Sequence, residues 1–302
     1  MGRELADQHP IARQTFEDAD EALGLKLSQL CYEGPDDQLR LTENTQPAIL
    51  TVSVAAWRVL QEKGIQPAFV AGHSLGEYSA HVAAETLNFA DAVRAVRNRG
   101  KYMQEAVPVG TGAMAAILGM QFDAVSAICR DASQGEVCEP ANINSPDQIV
   151  ISGHAGAVER AAKLADQRGA KRAKLLPVSA PFHCSLMKPA QERLAIDLNS
   201  LRFSSPRIPV VCNVDARPAE DAERSRQALI QQVTGSVKWN ESMQWLVANG
   251  VQTFVEVGPG KVLCGLMRQI DRSKKCLNVE DEASLHKTLE FLNGGASSAQ
   301  SH

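Results

Sequence analysis

The most informative segment of this 302-residue chain reads A-F-V-A-G-H-S-L-G and runs from Ala68 to Gly76. Its first four residues are apolar and predict a short strand, and the residues after Leu75 predict a helix. Between the two, Gly72 and Gly76 flank Ser74 in a G-x-S-x-G pattern, whose serine lies on a sharp turn where larger neighbours would collide. The segment therefore predicts an α/β fold with a nucleophilic serine at the carboxyl end of a strand.

A simpler explanation of the two glycines is a capped helix after an ordinary tight turn, because short glycine motifs occur by chance. The strand before the turn and the helix after it are the context that a nucleophilic serine requires, and they favour the nucleophile. In that context the backbone N–H of Leu75 lies at the first turn of the helix, where it can stabilise an oxyanion.

The segments around this turn continue the alternation of helices and strands. Apolar residues recur at helical spacing in three stretches, which predicts helices over residues 12–23, 47–61 and 89–103. Further along, residues 208–214 and 253–257 are short apolar runs typical of strands. This alternation is the pattern of an α/β domain.

The middle of the chain predicts a small inserted domain. Segments predicted as strand, helix, strand, strand, helix and strand follow one another there, which is the order of a ferredoxin-like unit. The glycines of Gly110-Thr111-Gly112 and the proline of Ser179-Ala180-Pro181 predict hinges at its two ends. The predicted boundaries are residues 110–179 for the insertion, 1–109 and 180–293 for the large domain, and 294–302 for a small, polar, disordered tail.

Composition excludes several classes of protein. A formal net charge of −4 offers no overall attraction for nucleic acid. Seven cysteines without a C-x-x-C pair predict neither a disulfide scaffold nor a zinc site, and they favour a reducing compartment. The first residues contain no apolar signal core, and no apolar run reaches membrane-spanning length. We therefore expect a cytoplasmic protein that has no membrane partner.

A serine nucleophile needs a general base, and seven histidines are available. His73 is the sequence neighbour of Ser74 and should point away from it, while His81 lies two turns along the following helix, roughly 10 Å away by helix rise. Three others have polar surroundings typical of a surface or lie in the tail. His183 lies in the loop at the exit of the predicted insertion, where domains meet and sites form. We therefore favour His183 and keep His286 as the alternative.

Several motifs, in order along nearly the whole chain, resemble those of the malonyl-CoA:acyl carrier protein transacylases of fatty acid synthesis. The resemblance rests on residues 45–48 (T-Q-P-A), 72–79 (G-H-S-L-G-E-Y-S), 99–104 (R-G-K-Y-M-Q), 110–116, 142–153, 181–189 and 256–263 (E-V-G-P-G-K-V-L). Such a series is far more specific than G-x-S-x-G alone.

The resemblance implies a role for individual residues. Ser74 would accept the acyl group and His183 would be its base, oriented in this family by a backbone carbonyl that matches Gln232. Arg99 matches the arginine that pairs with the free carboxylate of malonate, a role suited to a planar guanidinium. Gln46 matches a substrate-binding position. Without the match, Arg99 would be interpreted as a solvated helix arginine.

Three more residues match family positions of narrower function. Phe182 matches a bulky residue that crowds an α-methyl branch in malonyl-selective relatives, and simple core packing is the alternative. Lys171 and Arg172 match basic positions proposed to dock the acidic carrier protein, and a solvated basic edge is the alternative. The resemblance implies malonyl-CoA and acyl carrier protein as partners of a monomer that needs no cofactor or metal.

The opening of the chain departs from the family pattern. Family members usually begin with a short apolar strand and F-P-G-Q-G-S-Q, whose first glutamine supplies an oxyanion contact. This sequence begins M-G-R-E-L-A, which resembles the stretch just after that motif. We therefore expect the first core strand and that contact to be missing from this sequence.

The sequence thus predicts an α/β-hydrolase-like large domain with an inserted ferredoxin-like small domain. The predicted reaction is ping-pong transfer of malonate from coenzyme A to the carrier thiol, through an acyl group on Ser74. The alternatives are a serine hydrolase or thioesterase that uses the same serine with His286, a non-catalytic module that binds the carrier protein, and a loading enzyme of polyketide synthesis.

Overall fold

The N-terminal third of the chain is mostly helical. The computed structural model describes residues 1–178 and 180–298. Its first elements are α1 (Arg3–Gln8), α2 (Pro10–Leu23), α3 (Leu27–Glu33), α4 (Asp36–Leu39), α5 (Thr42–Glu62), β1 (Val70–Ala71), α6 (Gly76–Ala83) and α7 (Phe89–Glu105). The helices predicted over 12–23, 47–61 and 89–103 are therefore confirmed.

Helix α5 forms the centre of this region. It is buried over most of its length and packs against α2, α6 and α7. Leu50, Val54 and Val59 contribute to the main core, where each is at most 1 % exposed. Burying such side chains stabilises the fold by about 1.5–3 kcal/mol each, which outweighs the modest helix propensity of β-branched residues.

Residues 112–175 form a unit with its own sheet and core. It comprises β2 (Gly112–Leu118), α8 (Phe122–Ser133), β3 (Cys138–Ser145), β4 (Gln148–His154), α9 (Ala155–Gln167) and β5 (Arg172–Leu175). The strands lie in the order β3-β4-β2-β5 and every pair is antiparallel. Helices α8 and α9 pack on this sheet over a separate cluster that includes Ile117, Ile128 and Ile151.

The two ends of this unit meet. A Cβ at Gly112 would lie 2.2 Å from Cγ of Pro181, so only glycine permits this approach of the two predicted hinges. Ser179, which the second hinge also includes, lies outside the described residues.

The rest of the chain returns to α/β alternation. It comprises a short 3₁₀ turn (Ser185–Met187), α10 (Lys188–Ser200), β6 (Val210–Cys212), β7 (Arg217–Pro218), α11 (Ala222–Gln231), α12 (Trp239–Ala248), β8 (Thr253–Val257), α13 (Val262–Ile270), β9 (Lys275–Val279) and α14 (Glu282–Ser298). Strand β6 lies parallel to β1, with Val210 opposite Val70, and antiparallel to β7. Strands β8 and β9 form a parallel pair. The mixed α/β fold that the sequence predicts is confirmed.

The structure differs from the prediction at the C-terminus. We predicted a disordered tail over 294–302, but α14 continues through Ser298, and residues 299–302 lie outside the described residues. Once a helix is nucleated, each further residue gains a backbone hydrogen bond, so small polar residues can extend it.

The cysteines form one local crosslink. Cys264 of α13 and Cys276 of β9 are joined by a disulfide, with their Cα atoms 5.4 Å apart, while five other cysteines are free and buried. A single bond between neighbouring elements is not a disulfide scaffold. No helix among residues 1–178 and 180–298 combines the length and the apolar character that crossing a bilayer requires.

Candidate active site

Ser74 lies on the turn between β1 and α6 with a φ of 50°, a left-handed conformation that is rare for serine. Two side-chain amides hold this conformation. The N–H of Ser74 donates to Oδ1 of Asn213 at 2.7 Å, and its carbonyl accepts from Nε2 of Gln232 at 2.9 Å. A Cβ at Gly72 would lie 1.9 Å from the backbone of Gly76, which explains the first glycine of the motif.

The hydroxyl of Ser74 is paired with His183. The distance from Oγ to Nε2 is 2.7 Å, although 109 residues separate the two in sequence. On the other side of the ring, Nδ1 lies 2.8 Å from the backbone carbonyl of Gln232 and 3.2 Å from that of Gly235. A carbonyl can only accept, so Nδ1 carries the proton and Nε2 is free to accept the serine proton.

The alternative base lies elsewhere. His286 is on α14 with 73 % of its side chain exposed, and its nearest ionic partner is Glu282. His73, beside the serine, points away as predicted and bonds Oδ1 of Asn144 in β3 at 2.8 Å. The structure therefore brings His183, and not His286, to Ser74.

We expect acylation of Ser74 to keep its rate at pH values well below the ordinary pKa of histidine. Burial, and then the positive charge of Arg99 and the neighbouring His73, lower the pKa of His183 from 6.5 to about 3. His183 thus remains an unprotonated base between about pH 7 and pH 5. The measurement is the rate of Ser74 acylation against pH, with the folded fraction followed alongside. A loss of half the rate near pH 6.5 in folded protein would contradict this reading.

The lowered pKa of His183 also makes the stability of the folded protein fall as the pH falls. The unfolded chain binds a proton at this histidine below about pH 6.5, which the folded protein does not bind until about pH 3. His183 therefore destabilises the folded state progressively as the pH falls through that window.

Arg99 of α7 reaches the nucleophile from a third direction. Its Nη1 donates to Oε1 of Gln46 at 2.6 Å, and its Nη2 donates to Oγ of Ser74 at 3.1 Å and to Oε1 of Gln232 at 3.0 Å. The side chain is 2 % exposed and burial lowers its pKa. None of these partners is a carboxylate, so the cation is paired only with neutral groups. A buried charge of this kind favours an anionic ligand beside the serine.

The backbone N–H of Leu75 is placed to stabilise an oxyanion that forms next to Ser74. It belongs to the residue after the nucleophile, at the N-terminus of α6, and no acceptor for it is found within the described part of the chain. The amide of Gly76, by contrast, donates to the carbonyl of His73. Leu75 thus offers a free donor where an oxyanion would form.

The remaining predicted residues lie at different distances from this centre. Phe182 is partly buried and packs against both the main core and a small cluster of Met114, Ala141 and Val150. Lys171 is exposed, 4.0 Å from Asp147. Arg172 is exposed at the start of β5. The structure brings Gln46, Arg99, Leu75, His183 and Gln232 to Ser74, while Lys171 and Arg172 lie on the surface.

Sequence reasoning missed three features of the site: Glu77, Asn213 and the side chain of Gln232. A signal for two of them was present. Asn213 is a polar residue directly after the strand β6, and carboxyl ends of parallel strands meet at one edge of a sheet. Glu77 is an acidic residue one turn after the nucleophile in an apolar stretch.

One group of potential metal ligands occurs within the described residues. Glu77, His81 and Cys212 are buried, with one ligand atom of each within 4.8 Å of the others. Burial, with the charge of Glu77, raises the pKa of the Cys212 thiol and disfavours the thiolate that a metal would need. One oxygen of Glu77 is already engaged by protein N–H groups. We therefore assign no metal to this group, and its absence stays a prediction.

Comparison with known proteins identifies close relatives of this chain. The model of the acyl transferase domain family matches residues 1–288. A protein of Salmonella typhimurium named malonyl CoA-acyl carrier protein transacylase is 49 % identical over 290 residues, which are 96 % of this chain and 94 % of that protein.

Solved structures similar to this chain also include malonyl transacylases. An acyl carrier protein S-malonyltransferase from Vibrio cholerae superposes with a TM-score of 0.94 and 49 % identity, covering 95 % of this chain and 94 % of the other. A complex described as a type II PKS acyl-carrier protein with its malonyl-transacylase matches with a TM-score of 0.94 and 46 % identity, covering 96 % and 94 %.

Proposed function

This chain belongs to the malonyl CoA-acyl carrier protein transacylase family, and we propose that it carries a malonyl group from coenzyme A to an acyl carrier protein in fatty acid synthesis. The observation that supports this most directly is the buried guanidinium of Arg99, 3.1 Å from Oγ of Ser74 and without a carboxylate partner. Malonyl is an acyl group that carries its own carboxylate, so it supplies the missing counter-charge.

The first half of the reaction forms an ester on Ser74. Nε2 of His183 takes the proton of the hydroxyl while Oγ attacks the thioester carbonyl. The N–H of Leu75 stabilises the oxyanion, and the carbonyl of Gln232 stabilises the imidazolium through Nδ1–H. The tetrahedral intermediate then collapses, and coenzyme A leaves with the proton from His183.

The second half reverses these steps with another thiol. The phosphopantetheine thiol of the carrier protein enters and loses its proton to Nε2 of His183. Its sulfur attacks the ester carbonyl, and Oγ of Ser74 leaves and recovers that proton. Because one site serves both thiols in turn, the kinetics are ping-pong.

The architecture that we propose around this site has two parts. Residues 1–109 and 180–293 form the α/β-hydrolase-like domain, supported by the strand–turn–helix at Ser74. Residues 110–179 form the ferredoxin-like insertion, supported by the antiparallel order β3-β4-β2-β5. Phe182 and His183 lie at the junction, so their placement depends on both parts.

The outer residues complete the proposal. Lys171 and Arg172 are exposed basic residues on the insertion, suited to an acidic carrier protein. Phe182 precedes the base and would crowd a branched acyl group. A hydrolase that uses His286 gains no support, because that residue is exposed and is not paired with Ser74.

Replacing Arg99 tests the proposed substrate. Arg99→Ala is expected to lower malonyl transfer by roughly 10- to 100-fold, the value of a charge-assisted bidentate contact, while acetyl transfer is kept or gained. Both acyl-CoA substrates are assayed with holo acyl carrier protein, and the products are separated by mass. The wild-type chain should deliver malonate to the carrier thiol and release little free acid.

Arg94→Ala is the matched control, because Arg94 is an exposed arginine of the same helix that is paired with Asp91. It should leave both transfers unchanged. Equal losses of malonyl and acetyl transfer in Arg99→Ala would make Arg99 a structural arginine, and release of free malonate instead of transfer would favour a hydrolase.

A further inference from the structure

Glu77 is a carboxylate with no exposed surface, one helical turn after the nucleophile. We propose that Glu77 is a positioning residue that holds the side-chain amide of Gln232 and the backbone N–H of Asn213 in place. Through these two residues it keeps Ser74, His183 and Arg99 in the arrangement that acyl transfer needs. The inference rests on the proposed function and adds to it a residue that does not touch the substrate.

The first link runs through the side chain of Gln232. Its Nε2 donates to Oε2 of Glu77 at 2.7 Å and to the carbonyl of Ser74 at 2.9 Å, while its Oε1 accepts from Nη2 of Arg99 at 3.0 Å. A carboxylate can only accept and a guanidinium can only donate. Glu77 and Arg99 together therefore permit only one orientation of the amide.

The orientation of this amide matters because the same residue orients the base. The backbone carbonyl of Gln232 accepts from Nδ1 of His183 at 2.8 Å. Gln232 is therefore anchored at both ends: its side chain by Glu77 and Arg99, and its carbonyl by the imidazole. Releasing the side chain would free the chain segment that keeps the imidazole aimed at Ser74.

The second link runs through Asn213. Its backbone N–H donates to the same Oε2 of Glu77 at 3.0 Å. Its side chain accepts from the N–H of Ser74 at 2.7 Å and donates to the carbonyl of Gly72 at 2.7 Å. Glu77 thus fixes the residue that holds Ser74 in its left-handed conformation, which would be costly without support.

A neutral side chain at position 77 would hold Gln232 and Asn213 less firmly than the carboxylate does. Charge-assisted hydrogen bonds are roughly twice as strong as neutral ones, and one oxygen of Glu77 receives two of them. The Gln232 amide lies between Glu77 and Arg99, so the negative charge of Glu77 polarises that amide, while the guanidinium itself keeps no carboxylate partner. The position therefore favours glutamate over a residue that merely fills the space.

The experiment compares Glu77→Ala and Glu77→Gln by the single-turnover rate of Ser74 acylation at saturating malonyl-CoA. Glu77→Ala is expected to lower this rate by about 100-fold, because small displacements of catalytic groups have effects of that size. Its KM should change by no more than a few-fold. Glu77→Gln retains an acceptor but loses the charge, so it should recover part of the loss.

The matched control is Thr86→Ala. Thr86 lies three residues after the end of α6, is 1 % exposed, and its hydroxyl has no hydrogen-bond partner among the described residues. This truncation should lower the melting temperature while the folded protein keeps its acylation rate. A loss of acylation in Thr86→Ala as large as that in Glu77→Ala would show that the effect comes from core packing and would overturn the proposal.

A double-variant cycle with Gln232→Ala tests the route. Adding Gln232→Ala to Glu77→Ala should cost less than Gln232→Ala costs alone, because the amide has already been released. Effects that multiply independently would overturn the proposed link through Gln232.

A proton NMR measurement separates this inference from the proposed function. The Nδ1–H of His183 should give a downfield resonance in the wild-type chain that broadens in Glu77→Ala and returns in Glu77→Gln. If the wild-type chain transfers no malonate, the proposed function fails while this comparison still decides the role of Glu77. An unchanged resonance in Glu77→Ala, with wild-type acylation per folded molecule, would overturn the inference.

Discussion

Ser74→Ala protein should take up no malonyl mass when it is mixed with malonyl-CoA, whereas the wild-type chain should gain one malonyl group. Alanine lacks the oxygen that forms the ester. Among the described residues, the hydroxyl that is hydrogen-bonded to both His183 and Arg99 is that of Ser74. Without an ester there is no ping-pong route, so transfer to the carrier thiol should fall to background. Intact-protein mass spectrometry after short incubation measures the adduct.

Ser79→Ala serves as the control for this variant, because Ser79 lies on α6, the helix that follows Ser74, and its hydroxyl has no hydrogen-bond partner in the described residues. It should be labelled like the wild type. Label that persists on the Ser74→Ala protein would remove Ser74 from the reaction. An unlabelled wild-type chain would instead favour a module that binds the carrier protein without catalysis.

His183→Ala is expected to lower malonyl transfer by roughly 10² to 10⁴, the range that general base catalysis provides. The serine then keeps its hydroxyl proton, and the entering thiol also loses its base, so both halves of the reaction slow. Burst and steady-state rates with malonyl-CoA and holo carrier protein measure the two halves separately.

His286→Ala is the paired control and should transfer malonate at close to the wild-type rate, since this side chain is largely exposed on α14. If His286→Ala were inactive and His183→Ala active, the hydrolase alternative would gain support. The 2.7 Å contact between His183 and Ser74 would then describe an unreactive arrangement.

The local features of this protein could be predicted because they depend on short-range patterns. The strand, turn and helix around Ser74 follow from apolar runs and from a glycine whose Cβ would collide with the backbone of Gly76. The order of elements in the insertion follows from apolar residues spaced at strand and helix periods in turn, and β8 has the predicted boundaries. The boundaries of β6 were less accurate, because a strand was predicted over residues 208–214 whereas β6 spans Val210–Cys212.

The placement of Arg99 came from family resemblance and not from pattern. By spacing alone Arg99 resembles its neighbours Arg94 and Arg97 on α7, yet it is 2 % exposed while Arg94 is on the surface. Helical periodicity states which face a residue occupies, but not which partner from a distant segment covers that face.

By itself the sequence determined the nucleophile's turn, the mixed α/β alternation and a preference for His183 over His286. Only the tertiary structure decided the distances that make a site: His183 reaches Ser74 across 109 residues, and Glu77, Asn213 and Gln232 close a network around it. The physical reason is that propensity and periodicity act over a few residues. Hydrogen bonds among buried side chains depend instead on how whole elements pack, and packing is specified by the chain as a unit.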